Sequence, residues 1–286
     1  MLQLTSLSDI RQHTERLRQQ GKRIGFVPTM GALHDGHLSL IRAANRQNDV
    51  TVCSVFVNPA QFNNADDYRL YPRLLGADAE MLEQAGCDVL FAPSPEEMYR
   101  HQAKLSFDFG ELERVMEGAH RPGHFNGVAL VVSKLFHLVK PHQAFFGQKD
   151  LQQFAIIRQL VQDLSFDLEL VCFPIIREAD GLAMSSRNRR LTPAQRAVAP
   201  KLYEALQIAQ AKLQAAASVE EAKQAAVAFL ASFPEMSLEY LEVVDARSLQ
   251  PVPDLTAGQE VALCLAAFLG EVRLIDNLLL QPQANS

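Results

Sequence analysis

Several features that settle a protein's class at once are missing from this chain. Its four cysteines (Cys53, Cys87, Cys172 and Cys264) form no CxxC pair, so neither a zinc site nor a dithiol redox motif is signalled. Cys53, Cys172 and Cys264 lie inside apolar strand-like runs and Cys87 opens one, which reads as reduced thiols packed in a core. No apolar run approaches the ~20 residues a membrane helix needs. Residues 1–23 lack the apolar stretch of a signal peptide, so a cytoplasmic protein with no membrane partner is expected. Cationic excess is missing too: 27 Lys and Arg against 33 Asp and Glu give a formal net charge of −6. That balance argues against nucleic-acid binding by phosphate neutralisation and leaves room for a local basic pocket. GxSxG, HExxH, GxGxxG and GxxxxGK[ST] are all absent, and with them the usual support for hydrolase, metalloprotease, dehydrogenase and P-loop readings.

What is present is an ordinary globular composition. The 286 residues, 48% hydrophobic and 21% charged, suffice for one large or two medium domains. Helical patterns over 7–20, 37–48, 76–86, 127–141 and 151–164 alternate with strand-like runs at 23–28, 49–59, 87–95, 143–146 and 167–175. This alternation predicts an α/β domain with a parallel sheet. After about residue 190 the pattern changes to Ala-rich helices (193–216 and 219–233), a strand-like run at 236–249 and two strands around Leu269-Gly270. A second, smaller α+β unit is expected, giving domains of 1–175 and 176–286 joined by the loop at 177–190. Residues 281–286 read as a frayed end.

In open parallel sheets ligands bind beyond the carboxyl ends of the strands, and the chemistry-bearing residues cluster there. The richest segment is 24–44, where an apolar strand breaks at Pro28, passes Gly31, and reaches His34-Asp-Gly36-His37 before an amphipathic helix. A helix start offers free N–H groups and partial positive charge, and two histidines beside it suit phosphate oxygens. A structural role for the histidines stays open; a metal site lacks a third ligand. Phe146-Gly-Gln-Lys149-Asp150 sets an ammonium at a strand end, although a solvated lysine beside Asp150 has the same appearance. In the 177–188 loop, Ser185, Ser186 and Arg187 offer hydroxyls and a guanidinium fork, or form a polar linker. Asn58, Gln61 and Gln153 are amides suited to a small polar substrate. Arg121-Pro-Gly-His124 sets a basic pair and a glycine before an apolar helix, which suits an anion or forms a structural turn.

PTMGALHDGH (28–37), NPAQF (58–62), RPGHFNGV (121–128), FFGQKD (145–150) and GLAMSSRN (181–188) occur in an order that resembles the pantothenate synthetase family, the pantoate–β-alanine ligases, over nearly the whole chain. His34-Asp-Gly36-His37 is similar to the HIGH signature of the nucleotidyltransferase superfamily shared with class I aminoacyl-tRNA synthetases, and Met184-Ser-Ser-Arg187 to its KMSKS loop. The resemblance implies a Rossmann-like ATP-binding domain, a homodimer, and a two-step reaction in which pantoate is adenylated by ATP and β-alanine then displaces AMP. It implies that His34, His37, Lys149 and Arg187 are catalytic, with His37 giving a proton to the departing pyrophosphate. Met30, Gly31, Ala32, Leu33, Asp35 and Gly36 would line the nucleotide site with the histidines. Gly147, Gln148, Lys149 and Asp150 would bind ATP, with Lys149 on phosphates and Asp150 near the ribose. Ile176 would meet adenine through its backbone, and Met184, Ser185, Ser186 and Arg187 would clamp the triphosphate. Gln61 and Gln153 would hold pantoate, Gln61 bordering β-alanine, with Pro28, Thr29, Asn58 and His124 completing the substrate set. Asp78 would help place Mg²⁺.

Two departures from the family pattern stand out. Ala77-Asp78 replaces the paired acids of some relatives, and the KMSKS-like loop lacks its lysines, so Arg187 must supply that charge. An adenylate is prone to hydrolysis, which makes the 177–190 loop and the second unit candidates for closing the site against water. Three rivals share parts of the pattern: a nucleotidyltransferase with another small substrate, a tRNA-charging enzyme and an inert nucleotide sensor. Gln61 and Gln153 speak against the first. The acidic charge and short chain speak against the second, and intact His34, His37, Lys149 and Arg187 against the third.

Overall fold

A computed structural model describes residues 1–256 and 258–280; the frayed end expected at 281–286 lies outside them. The first part of the chain runs β1 (Leu2–Leu4), α1 (Leu7–Gln19), β2 (Ile24–Thr29), α2 (Asp35–Gln47), β3 (Val50–Val55), α3 (Ala65–Leu70), α4 (Leu75–Gln84), β4 (Val89–Phe91) and α5 (Pro95–Met98). It continues through α6 (Met116–His120), α7 (His124–Val139), β5 (Gln143–Gly147), α8 (Leu151–Asp163) and β6 (Glu169–Phe173). The six strands form one parallel sheet in the order β1-β4-β3-β2-β5-β6.

Strand residues alternate between faces, and here both faces are covered, which explains why the strands read as unbroken apolar runs. Phe26, Val52, Phe91 and Phe146 pack with α1, α7 and α8, whereas their neighbours Val27, Cys53, Leu90 and Phe145 pack with α2 and α4. Each fully buried Phe of this kind contributes about 1.5–3 kcal/mol. The chain leaves β2 for β3 on one side and returns to β5 on the other. The crevice at that reversal is where such sheets take ligands.

The second sheet follows α9 (Pro193–Val198), α10 (Lys201–Gln214) and α11 (Val219–Leu230). It is antiparallel, in the order β7 (Met236–Asp245), β8 (Val261–Leu269), β9 (Val272–Leu280). β8 divides its side chains by parity. Val261, Leu263, Leu265, Ala267 and Leu269 join a core with α10 and α11. Ala262 and Cys264 meet Met116, Leu151 and Ala155 of the first part of the chain.

Several expected boundaries shift, each for a local reason. The strand does not break at Pro28. Ile24 O accepts from His142 N on the β5 side (2.8 Å) and Thr29 O from Phe56 N on the β3 side (3.1 Å). Alternation therefore turns the Pro28 nitrogen toward β5, where pairing has already stopped at Phe26–Ala144, so no ladder bond is lost. α2 begins at Asp35, two residues before the expected start, because His34 is its N-cap. α7 occupies 124–139 instead of 127–141, ending on Lys140 in the left-handed region (φ 47°) immediately before Pro141. The Ala-rich 193–216 stretch is two helices, interrupted at Pro200. β1, a three-residue edge strand, and the short helices α3, α5 and α6 are additional to the expected elements.

Candidate functional site

A cleft of about 240 Å³ opens at the carboxyl ends of β2 and β5. One wall is the loop from β2 into α2. Gly31 (φ +82°) and Ala32 (φ 51°) both occupy the left-handed region, a costly conformation for alanine. Asp78, from α4 and 2% exposed, holds this turn: its carboxylate oxygens accept from Ala32 N (2.9 Å) and Leu33 N (2.8 Å). A Cβ on Gly31 would lie 2.8 Å from the same carboxylate.

His34 Nδ1 accepts from Gly36 N (3.2 Å), so its ring proton sits on Nε2. The His34 and His37 rings lie 4.0 Å apart. Burial, followed by the Lys149 and Arg189 charges, lowers the His34 pKa to about 4. Burial and the His34, Lys149 and Arg189 charges push His37 well below its ordinary value. Both imidazoles are neutral donors near pH 7, and His37 Nδ1 is buried without a partner among the described residues.

The opposite wall is a chain of fixed amides. Asn58 Oδ1 accepts from Ala60 N (3.2 Å) and the Tyr99 hydroxyl (2.7 Å), and its Nδ2 donates to Gly127 O (3.0 Å). Those backbone partners fix which end of Asn58 is nitrogen. Its second Nδ2 hydrogen goes to Gln61 Oε1 (3.0 Å), which in turn directs Gln61 Nε2 toward Met30 Sδ (3.3 Å). His124 Nδ1 must donate to Gln61 O (2.8 Å), leaving Nε2 to accept from Arg121 (3.2 Å). Burial first, then Arg121, lowers the His124 pKa to about 4. This packing needs Gly127, where a Cβ would fall 2.1 Å from Ala60 O. Below it, Phe56, Val128, Val131 and Val132 give the cleft an apolar floor.

The third wall joins both sheets. Lys149, on a 3₁₀ turn following β5, stands 3.6 Å from Asp150. The 177–190 segment is a built hairpin and not a slack linker. Arg177 bridges Ala183, Met184 N donates to Ile176 O (3.0 Å), and Arg196 pairs with Glu178 and Asp180. Arg189 donates to Leu33 O (3.0 Å), tying this hairpin to the histidine loop.

Pro28, Thr29, Met30, His34, Gly36, His37, Asn58, Gln61 and His124 all line the one cleft, as do Gly147, Lys149, Asp150, Gln153, Ile176 and residues 184–187. Six expected residues stand outside its lining. Gly31, Ala32 and Leu33 are buried behind the wall, Asp35 is exposed on α2, and Gln148 turns to Asn277 (3.0 Å). Asp78 is the sixth: each of its oxygens accepts a backbone N–H, so in this structure it holds the turn. Asn58 and His124 also differ from expectation: their polar atoms are spent on protein, so they position Gln61 and Arg121 in place of presenting free donors. Arg121, expected to suit an anion, lines the cleft; Tyr71 lines it without having been given a role. Arg121 was visible in its motif; Tyr71 and Asn277 carried no local signal.

A switch-point cleft with three cationic side chains (Arg121, Lys149, Arg187), two neutral histidines at a helix start and an apolar floor defines a Rossmann-like nucleotide-binding enzyme. The family model described as pantoate-beta-alanine ligase matches residues 3–279. A pantothenate synthetase from Cytophaga hutchinsonii is 47% identical over 281 residues, 98% of this chain and 99% of that protein. The crystal structure of pantothenate synthetase from Thermus thermophilus superposes with a TM-score of 0.91 at 45% identity, covering 97% of this chain and 99% of that one. Francisella tularensis pantoate-beta-alanine ligase, complexed with beta-gamma ATP and beta-alanine, gives a TM-score of 0.81 at 36% identity, covering 98% and 97%. The chain belongs to the pantoate-beta-alanine ligase family and condenses pantoate with β-alanine in pantothenate biosynthesis.

Proposed function

We propose that the ligation runs through pantoyl adenylate in this cleft, with ATP and β-alanine, the compounds bound by the Francisella relative, as the other substrates. A carboxylate is a poor acyl donor because oxide is a poor leaving group. Attack of the pantoate carboxylate on the α-phosphorus of ATP expels pyrophosphate and leaves AMP as the leaving group for the β-alanine amine. Catalysis of this kind needs alignment and charge stabilisation more than covalent protein chemistry.

The observation that carries the reading is the pairing of a cationic rim with an apolar floor in one cleft. Lys149 and Arg187, with Ser185 and Ser186, suit the triphosphate. Gln61 Nε2, aimed by Asn58, suits the pantoate hydroxyls together with Gln153. The Phe56, Val128, Val131 and Val132 floor suits pantoate's two methyl groups. His34 and His37 enter as neutral N–H donors. Proton donation by His37 requires the bound polyanion to raise its pKa first. Ile176 O accepts from Met184 N (3.0 Å), which fixes the backbone offered to adenine there.

Mg²⁺ finds no protein cage: among the described residues no group of three or more His, Cys, Asp or Glu could hold a metal ion. It belongs on phosphate oxygens and water, and no step is assigned to it. The three larger cores lie on one side or the other of 175/176 and support a domain boundary there, with a smaller shared cluster joining the two and the smaller domain closing the cleft. The proposal includes a cytoplasmic homodimer, which sedimentation of the purified protein tests; among the described residues no helix is long and apolar enough to cross a membrane. Exchange of labelled pyrophosphate into ATP tests the two-step scheme. Exchange that needs pantoate and not β-alanine supports it, and exchange independent of pantoate rejects it.

A further inference from the structure

The turn that carries Lys149 is not held by its own sheet alone. Asn277, on β9 of the second sheet, donates from Nδ2 to Gln148 O (3.0 Å) and Lys149 O (2.9 Å), and its Oδ1 accepts from Gln148 Nε2 (3.0 Å). The two carbonyls only accept, so they fix the orientation of the amide. Asn277 is 3% exposed. A buried amide is tolerated only when it is paired, and every side-chain pair Asn277 makes is with residues 148–149. Its neighbour Asp276, 4% exposed, reaches the 177–190 hairpin: it receives Arg177 through two bonds (2.6 and 2.9 Å). That guanidinium also donates to Gly181 O (3.0 Å) and lies 3.6 Å over the Tyr203 ring. Consecutive residues of one strand thus grip the 148–150 turn and the hairpin, more than 90 residues away in sequence in each case.

We propose that Asn277 is a positioning residue for adenylation. It acts through Lys149 by fixing the backbone from which the ammonium reaches the triphosphate. The smaller domain would then contribute to the first chemical step as well as to closure. This rests on reading Lys149 as a phosphate ligand. A ligand group misplaced by about 1 Å can cost on the order of 100-fold in rate, and Asn277 supplies both donors that the turn's carbonyls receive from β9.

A double-mutant cycle on pantoate-dependent pyrophosphate exchange tests the proposal. Asn277→Ala is expected to slow exchange about 10- to 100-fold and raise the KM for ATP, leaving that for pantoate unchanged. Lys149→Ala is expected to be slower still, and the double variant no slower than Lys149→Ala. Effects that multiply, or an Asn277→Ala enzyme that exchanges normally, overturn the proposal. If Lys149→Ala itself exchanges normally, the reading of Lys149 fails, and the proposal falls with it. Asn277→Asp keeps the shape and the acceptor but removes both donors. It completes the same cycle should the alanine variant fold poorly, with thermal unfolding as the check on folding.

Discussion

Replacing Asp78 with asparagine separates two roles that its carboxylate could play. As a metal-placing acid, its replacement by asparagine should alter the Mg²⁺ requirement and leave stability alone. As a backbone clamp, it should do the reverse. In the protein the 2% exposed carboxylate accepts from Ala32 N at 2.9 Å and Leu33 N at 2.8 Å. Hydrogen bonds to a charged group contribute about 1.5–3 kcal/mol each. Asp78→Asn keeps one acceptor and sets an NH₂ group against the other backbone N–H, so a loss of about 2–3 kcal/mol is expected. For a chain of this size that corresponds to a fall of roughly 4–12 °C in Tm. The turn it releases contains Ala32 at φ 51°, which relaxes without the clamp, so pyrophosphate exchange should fall as well. Scanning calorimetry beside a Mg²⁺ titration of exchange decides the matter. An unchanged Tm with a raised Mg²⁺ requirement would refute the clamp.

Asn58→Asp removes the donors that fix Gln61 and Gly127, so the KM for pantoate should rise about tenfold or more, the loss of about 1.4 kcal/mol or more of binding; steady-state kinetics should find the KM for ATP unchanged. Gly127→Ala drives a Cβ to 2.1 Å from Ala60 O, and chemical denaturation should register a loss of about 1–3 kcal/mol together with weaker pantoate binding. The low values for His34 and His124, each about 4, mean that the folded state binds fewer protons there than the unfolded chain. Their contribution to stability is complete above about pH 6.5 and is lost as pH falls toward 4. Ring-proton NMR of the free enzyme should show both residues titrating near 4; midpoints near 6.5 would contradict the buried, neutral assignment.

The parts of the fold that were legible depended on short-range order. The apolar run at 49–59 read correctly as a buried parallel strand because both of its faces are covered, although the strand itself ends at Val55. The helix after β2 was recognised from Leu38 and Ile41, yet its start was misplaced by two residues because histidine is an unusual N-cap. β1 is three residues long and pairs with β4 more than 80 residues away, which leaves no periodicity to read. The site divides in the same way. His34, Gln61, Lys149 and Arg187 sit in compact motifs at strand ends and line the cleft as expected. The roles of Asp78, Asn58 and Asn277 are set by partners that folding delivers: a backbone turn, a neighbouring amide and a loop 128 positions away. Residue type alone does not distinguish a carboxylate that meets a ligand from one that holds a loop.

The central claim is that the pantoate carboxylate attacks the α-phosphorus of ATP. Its most direct test is a turnover with pantoate labelled by ¹⁸O in the carboxylate, followed by mass spectrometry of the products. One labelled oxygen should pass to AMP, carried across when the β-alanine amine breaks the acyl–oxygen bond. Label in pyrophosphate or inorganic phosphate, or none in AMP, would contradict the adenylate and with it the roles drawn for this cleft.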